Sequence, residues 1–331
     1  MKVKVAINGF GRIGRQILKI GLERENLEFV AINDLADPEI LATLLKYDSV
    51  FGKYEKEVKT EDEYIVVDGH KVKVFKEKDP SKIPWGEVGA DIVVEATGLF
   101  RTRDKAELHL RDSVKKVVIT APAKSEIDAT IVMGVNENIY DPQKHNIISN
   151  ASCTTNAFAH LVKVVHENFK IKRGIMTTIH SYTNDQRILD QPHRDVRRAR
   201  AAGLSMIPTS TGAAKAIFKI FPDLEGKLSA IAMRVPTADV SIVDFACEVE
   251  IETSLEEVNA AFKKAESRYL KYTEEPLVSV DYIGDEHSVI FDATLTQVVG
   301  GNFIKVFGWY DNEWGYSTRV VDLLEFIANK M

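Results

Sequence analysis

The stretch VKVAINGFGRIG, residues 3–14, decides how the first half of the chain is read. An apolar, alternating run over Lys2 to Ile7 predicts a strand, and Ile13, Ile17, Leu18 and Leu22 then recur at helical spacing. Phe29 to Ile32 predicts a second strand, which completes a βαβ unit. Between the first strand and the helix lies Gly9-Phe10-Gly11-Arg12-Ile13-Gly14, a G-x-G-x-x-G run. That spacing alone is weak. Its place in a βαβ unit makes it specific, because the glycines let the backbone turn tightly and approach a pyrophosphate whose charge rests at the helix N-terminus. Asp34 follows the second strand, slightly beyond the usual spacing of about 20 residues. Its carboxylate suits ribose hydroxyls and repels a 2′-phosphate, so NAD is expected rather than NADP.

Outward from this unit, Leu41, Leu44 and Leu45 suggest a further helix, and YIVVDGHKVKVF (64–75) reads as a hairpin turning at Asp68-Gly69. Strands are expected at Asp91 to Glu95, Lys116 to Thr120, Thr130 to Met133 and Asn146 to Ser149, with a helix around Ala106 to Leu110. This alternation predicts an α/β domain over residues 1–151, a Rossmann-type, doubly wound and mostly parallel sheet. From Ser152 a long helix places Ala157, Leu161, Val164, Val165 and Phe169 on one stripe. Longer, mostly alternating strands follow at Ile175 to Ile179, Leu228 to Val235, Val240 to Ile251, His287 to Val298 and Phe303 to Tyr310. They predict an α+β catalytic domain over 152–313 with a mostly antiparallel sheet. Val320, Leu323, Leu324 and Ile327 mark a C-terminal helix in 314–331, expected to pack back on the first domain.

The chain has 331 residues, 45% of them hydrophobic, and a formal net charge of -6. Two domains suit that length. The acidic balance argues against nucleic acid as the main partner and against anionic membranes. No cationic-then-apolar leader opens the chain, and no apolar run reaches about 18 residues, so a soluble, cytoplasmic protein is expected. With only Cys153 and Cys247, neither a disulfide framework nor a cysteine-built metal site is available. The segment from Ser181 to Ser205 lacks periodicity and carries Arg187, Arg194, Arg197, Arg198 and Arg200, a basic island suited to an anion site or a subunit contact.

The two cysteines differ in setting. Cys247 shares strand parity with Val243, Phe245 and Val249, which makes it a small core hydrophobe. Cys153 stands in the first turn of a helix, where the dipole and free N–H groups favour a thiolate. A nucleophile needs a base within hydrogen-bond reach. His160 lies seven residues on, about 10 Å away at helical rise, and is excluded as a direct partner. His180, His193 and His287 stay open on composition alone.

Six blocks carry a resemblance to a known family: AINGFGRIGR (6–15), SNASCTTN (149–156), HSYTNDQ (180–186), TGAAK (211–215), RVPT (234–237) and YDNEWGY (310–316). In this order along the chain they resemble the glyceraldehyde-3-phosphate dehydrogenases. The resemblance implies an NAD-dependent, phosphorylating aldehyde dehydrogenase of glycolysis and gluconeogenesis, with glyceraldehyde 3-phosphate and inorganic phosphate as substrates and a homotetrameric assembly. It implies Cys153 as nucleophile and His180 as its base, working through a hemithioacetal and a thioester. It further implies Thr183 and Arg234 at the substrate phosphate, with Ser152, Thr154, Arg198, Thr211 and Gly212 at the inorganic phosphate. For NAD it implies Gly9, Gly11, Arg12, Ile13, Gly14, Asp34, Lys78, Thr97 and Thr120, with Asn312 at the carboxamide and Tyr316 packing on the nicotinamide ring.

Some positions depart from the family pattern. Ala157-Phe158-Ala159-His160 replaces the usual neighbouring Cys or Ser and the Pro after it, Lys78 stands where Arg is common, and Gln191 replaces the usual Leu before Pro192. Two other readings compete, erythrose-4-phosphate dehydrogenase and a non-catalytic dinucleotide-binding regulator. The Thr209-to-Lys215 run disfavours the first, and the intact Cys153 and His180 disfavour the second.

Overall fold

A computed structural model describes residues 2–331. The chain divides into two compact units, one running up to Ala151 and including Ser317–Met331, the other Ser152–Tyr316.

The first unit is built on a nine-stranded sheet. Its order is Ala129–Thr130, Ile147–Ser149, Lys116–Ile119, Ile92–Glu95, Val3–Asn8, Leu27–Asn33, His70–Phe75, Tyr64–Val67 and Val58–Glu61. The first seven run parallel and the last two add as antiparallel edge strands. Central strands such as Ile92–Glu95 are buried along their whole length, as both-face coverage of a parallel sheet requires. The 64–75 hairpin turns at Asp68 (φ 45°) and Gly69 (φ 83°), two left-handed residues whose twist matches the flanking strands. Ser317 Oγ donates to Gln16 Oε1, Arg24 pairs with Asp322 and Asn26 bonds to Asn329, which ties the end of the Trp314–Ala328 helix into this unit.

Two expectations are corrected here. Only Ala129–Thr130 pairs where Thr130 to Met133 was expected as strand, because the Asn136 side chain takes the Val132 N–H and donates to the Thr130 carbonyl. The helix expected at Ala106 to Leu110 starts earlier, as Arg103–Ala106, and ends in a 3₁₀ turn over Glu107–His109.

The second unit orders Ile207–Ser210, Leu228–Val235, Ile171–Ser181, Ser241–Val249, Phe303–Tyr310, Val289–Asp292 and Leu270–Thr273 in one sheet. Most neighbours are antiparallel; Leu228–Val235 beside Ile171–Ser181 and Leu270–Thr273 beside Val289–Asp292 are parallel. The 17-residue helix Cys153–Phe169 packs on this sheet together with Ala213–Ile220 and Leu255–Lys264. Alternate residues of Ser241–Val249, Cys247 among them, are buried. His287 to Val298 is not one strand. Asp292 accepts the Thr294 N–H and hydroxyl, closing a turn that splits it into Val289–Asp292 and Gln297–Val299.

Candidate active site

In the first unit the three motif glycines have different surroundings. A Cβ on Gly14 would stand 2.2 Å from the Gly9 carbonyl oxygen, and one on Gly9, at φ 96°, would stand 2.7 Å from the Thr97 nitrogen. Both are fixed by backbone packing. Nothing lies within 4 Å of a Cβ built on Gly11, so that side of the turn is open to an approaching ligand. Arg12 opens the helix, and its guanidinium is paired with both oxygens of Asp48 at 3.1 Å. Asp34 accepts from Phe10 N at 2.8 Å and Ala36 N at 3.2 Å, which fixes the carboxylate at the end of its strand. Thr97 and Thr120 end neighbouring strands around Glu95: Thr97 bonds its carboxylate through both N–H and hydroxyl, and Thr120 bonds its carbonyl. Lys78 is exposed three residues past the end of the His70–Phe75 strand. The turn therefore offers a helix N-terminus behind an unobstructed glycine, the setting a dinucleotide pyrophosphate needs.

In the second unit, Ser152 caps the Cys153 helix by accepting the Thr155 N–H at 3.1 Å, which places Cys153 at the first helical position. Its Sγ lies 3.5 Å from His180 Nε2. His180 Nδ1 is 2.7 Å from the Ser181 carbonyl and 2.6 Å from Arg234 Nη1. Those two contacts cannot both be hydrogen bonds through one nitrogen. Arg234 Nη1 also donates to the Ser181 carbonyl at 3.0 Å, and its second N–H is within reach of Nδ1, so two tautomers fit the contacts; the one that leaves a base for the thiol has its proton on Nδ1, pointing to that carbonyl. Nε2 is then a free acceptor facing the thiol.

Burial, then the Arg234 charge and that of Arg198, drive the imidazole pKa down to about 3, with the Ser181 carbonyl opposing. His180 is therefore neutral near pH 7. Burial raises the Cys153 thiol, while Arg234 and the Thr154 N–H and hydroxyl act to lower it. Cys153 as a residue is only partly buried. Dipole and arginine reduce the cost of ionisation, but burial outweighs them in the free protein.

The anion-site residues divide. Arg234 is largely buried and faces His180, and the Arg198 charge reaches both of them. Arg198 is held by Asp185, by Asp195 and by the Thr209 hydroxyl at 2.8 Å. Thr183 sits half-buried in a turn closed by Gln186. Thr211 and Gly212 head the Ala213–Ile220 helix, with the Thr211 hydroxyl accepting from Ala213 N. Thr154 is buried, and its hydroxyl bonds the Tyr310 phenol at 2.9 Å, so it meets an anion through its N–H or after a change of partner. Asn312 accepts from Ser241 Oγ at 2.7 Å through Oδ1, and Tyr316 is buried.

Several polar groups here had no signature in periodicity or motif. Thr178 joins Thr154 on the Tyr310 hydroxyl, giving a buried chain beneath the Cys153 turn. Ser241 orients Asn312, and Glu95 holds Asn8, Thr97 and His109. Apart from that of Thr97 to Glu95, these hydrogen bonds cross fourteen residues of sequence or more, which no local pattern encodes. Of the competing histidines, His193 is held by Asp185 and Asp195, and His287 by Asp285. His160 is buried against Tyr269, rings stacked at 6.0 Å, so the departure at 157–160 is core packing. Among the described residues no cluster of metal-ligating side chains occurs.

Family models agree with this layout. The NAD binding domain of glyceraldehyde 3-phosphate dehydrogenase matches residues 3–103, and the C-terminal domain of the same family matches 152–312. The chain is 57% identical to a glyceraldehyde-3-phosphate dehydrogenase of Geobacillus stearothermophilus, covering 100% of this chain and 99% of that one. It is 56% identical to glyceraldehyde-3-phosphate dehydrogenase 1 of Bacillus cereus, with 99% of each covered, and 54% to glyceraldehyde-3-phosphate dehydrogenase 2 of Streptomyces avermitilis, with 100% of each. With both family domains matched and full-length identity above half, this chain belongs to the glyceraldehyde-3-phosphate dehydrogenase family of NAD-dependent oxidoreductases.

Proposed function

We propose that the chain oxidises glyceraldehyde 3-phosphate to 1,3-bisphosphoglycerate through a thioester on Cys153, the step that serves glycolysis and, reversed, gluconeogenesis. The observation that carries this reading is the 3.5 Å approach of Cys153 Sγ to a neutral His180 Nε2 whose other nitrogen is fixed by Ser181. As the thiol attacks the aldehyde carbon, His180 takes its proton, and the new alkoxide is met by the imidazolium and the Cys153 N–H. That proton passes to the alkoxide, giving the hemithioacetal. NAD, when bound, accepts the hydride that leaves this carbon. His180 removes the hydroxyl proton as the hydride departs, leaving the thioester. A phosphate oxygen then attacks the thioester carbonyl, the C–S bond breaks, and the thiolate leaves. Arg234 with Thr183 suits the substrate phosphate, and Arg198 with Ser152, Thr154, Thr211 and Gly212 suits the attacking one.

Gly9, Gly11, Arg12, Ile13, Gly14, Asp34, Lys78, Thr97, Thr120, Asn312 and Tyr316 are the residues we assign to NAD. The open space at Gly11 and the Asp34 carboxylate support that assignment. Mixing enzyme, NAD and triose phosphate without phosphate, followed by acid quench and peptide mass spectrometry, is expected to find a 3-phosphoglyceroyl group on Cys153 that phosphate discharges. No adduct, or one on Cys247, would overturn the thioester.

Homotetramer formation is part of the same reading. The second unit leaves Ile175 (62% exposed) and Phe303 (46%) uncovered in a groove of about 640 Å³, Val299 is 64% exposed, and the arginine-bearing loop exposes Ile188 (88%) and Leu204 (83%). Apolar surface of that extent is what subunit contacts cover. Sedimentation is expected to give four chains, and a monomer at micromolar concentration would refute it. No helix among the described residues is long and apolar enough to cross a membrane, and two free thiols suit a reducing cytoplasm.

A further inference from the structure

The turn that carries Asn312 is held by two buried carboxyl groups that the reaction above does not use. Asp311 accepts three backbone N–H groups, Gly284 at 2.7 Å, Glu313 at 2.9 Å and Trp314 at 2.6 Å. Such a donor set favours the ionised form. Asp239, in the loop ahead of the Ser241–Val249 strand, meets Asp311 side chain to side chain. It is 4% exposed, and neither of its carboxyl oxygens receives an aligned hydrogen bond. The charges that act on it most are those of Asp311 and Glu313, both acidic, with the Val240 N–H working in the opposite sense. Two buried carboxylates in contact cannot both ionise cheaply, so one proton is shared between them. It belongs on Asp239, because Asp311 is already occupied by donors.

The same loop reaches the reacting groups. Val240, at φ 64° in a region β-branched residues avoid, presents its carbonyl to Ser181 Oγ at 2.8 Å. Ser241 Oγ accepts from Ser181 N at 3.1 Å and donates to Asn312 Oδ1 at 2.7 Å. Ser181 is the neighbour of His180, whose Nδ1 points to its carbonyl. One short loop therefore links the strand end bearing the base to the turn bearing Asn312.

We propose that Asp239 is a positioning residue, which as the neutral acid donates a shared proton to Asp311 and so fixes the Asn312 turn against the His180–Ser181 strand end. The consequence for NAD rests on the assignment of Asn312 to the nicotinamide; the shared proton does not. Burial, reinforced by the charges of Asp311 and Glu313, raises the Asp239 acid far above the usual carboxyl range, and burial raises Asp311 as well. For an acid raised in the folded state, the stabilising contribution is complete below the unfolded value and is lost as pH climbs through the folded one. Alkaline solution therefore ionises the pair and loosens the loop. In Asp239→Asn the amide donates to Asp311 with no proton to lose; in Asp239→Leu nothing donates.

The test is the melting temperature of the NAD-free protein from pH 4 to 10, with NAD affinity by tryptophan quenching, for the wild type and both variants. Near pH 7, Asp239→Asn should match the wild type in NAD affinity, while Asp239→Leu binds NAD several-fold more weakly. From pH 4 upward the wild type should fall progressively below Asp239→Asn in melting temperature, by several degrees, because the unfolded chain ionises Asp239 first, and it should lose NAD affinity in the alkaline range where the folded pair ionises. Should Asp239→Leu fail to fold, the wild type against Asp239→Asn still decides. Parallel melting curves for those two would overturn the shared proton, and a melting difference without a change in NAD affinity would overturn the positioning role. Asn312→Ala binding NAD as tightly as the wild type would remove the nicotinamide assignment and leave the melting difference to judge the pair.

Discussion

Cys153 sits where burial opposes ionisation and Arg234 with the helix start favours it. Arg234 acts on both partners, lowering the thiol and lowering His180. Arg234→Leu is therefore expected to slow alkylation of Cys153 by iodoacetamide several-fold at pH 8, since loss of the guanidinium charge removes what holds the thiol down against burial. An unchanged alkylation rate would remove the arginine from the thiol's environment. Alkylation of the wild type should climb with pH through the alkaline range, because a raised thiol gains its thiolate only as pH approaches the folded value. Cys153→Ser should lose at least 99% of turnover while keeping NAD affinity, a split that steady-state assays and titration resolve. Cys247, fully buried on the core side of its strand, is a contrast. Changing it to Ser buries a hydroxyl among apolar neighbours and should cost about 1–3 kcal/mol in urea unfolding with little change in kcat.

Among elements, the strand–turn–helix at 3–14 was the most legible in sequence, since its periodicities and glycines are local. The structure separates those glycines by function in a way the motif does not. Gly11→Ala should fold with a wild-type melting temperature and bind NAD at least tenfold more weakly, because the added methyl meets only the space a ligand would use. Gly14→Ala drives a methyl into the Gly9 carbonyl and should lose both stability and binding. Calorimetry with and without NAD distinguishes them, and a Gly11→Ala protein that binds NAD normally would contradict the assignment. Elements set by distant or polar contacts were less legible. His287 to Val298 has the alternation of one strand, yet the Asp292 carboxylate turns the chain at Thr294. Asn136 ends the strand after Thr130 in the same way. Short strands such as Ile207–Ser210 and Leu270–Thr273 owe their place to neighbours far along the chain, and four residues carry too little periodicity to announce them.

On the scale of the whole molecule, the switch of pattern near Ser152 was readable because parallel and antiparallel sheets demand different side-chain alternation. The Cys153–His180 pairing was readable only through the family resemblance, since composition left His193 and His287 open and it takes the tertiary fold to bring Nε2 beside the thiol. The same holds for Arg234, whose strand lies parallel to that of His180 with the two residues in register. What unites these residues in the proposed reaction is a thioester resolved by phosphate, and the most direct test is steady-state NAD reduction with glyceraldehyde 3-phosphate, with and without inorganic phosphate. Turnover should depend strongly on phosphate, arsenate should replace it, and erythrose 4-phosphate should react about a hundredfold more slowly because its extra carbon displaces either the carbonyl or the phosphate. Phosphate-independent oxidation, or faster oxidation of the tetrose, would contradict this account.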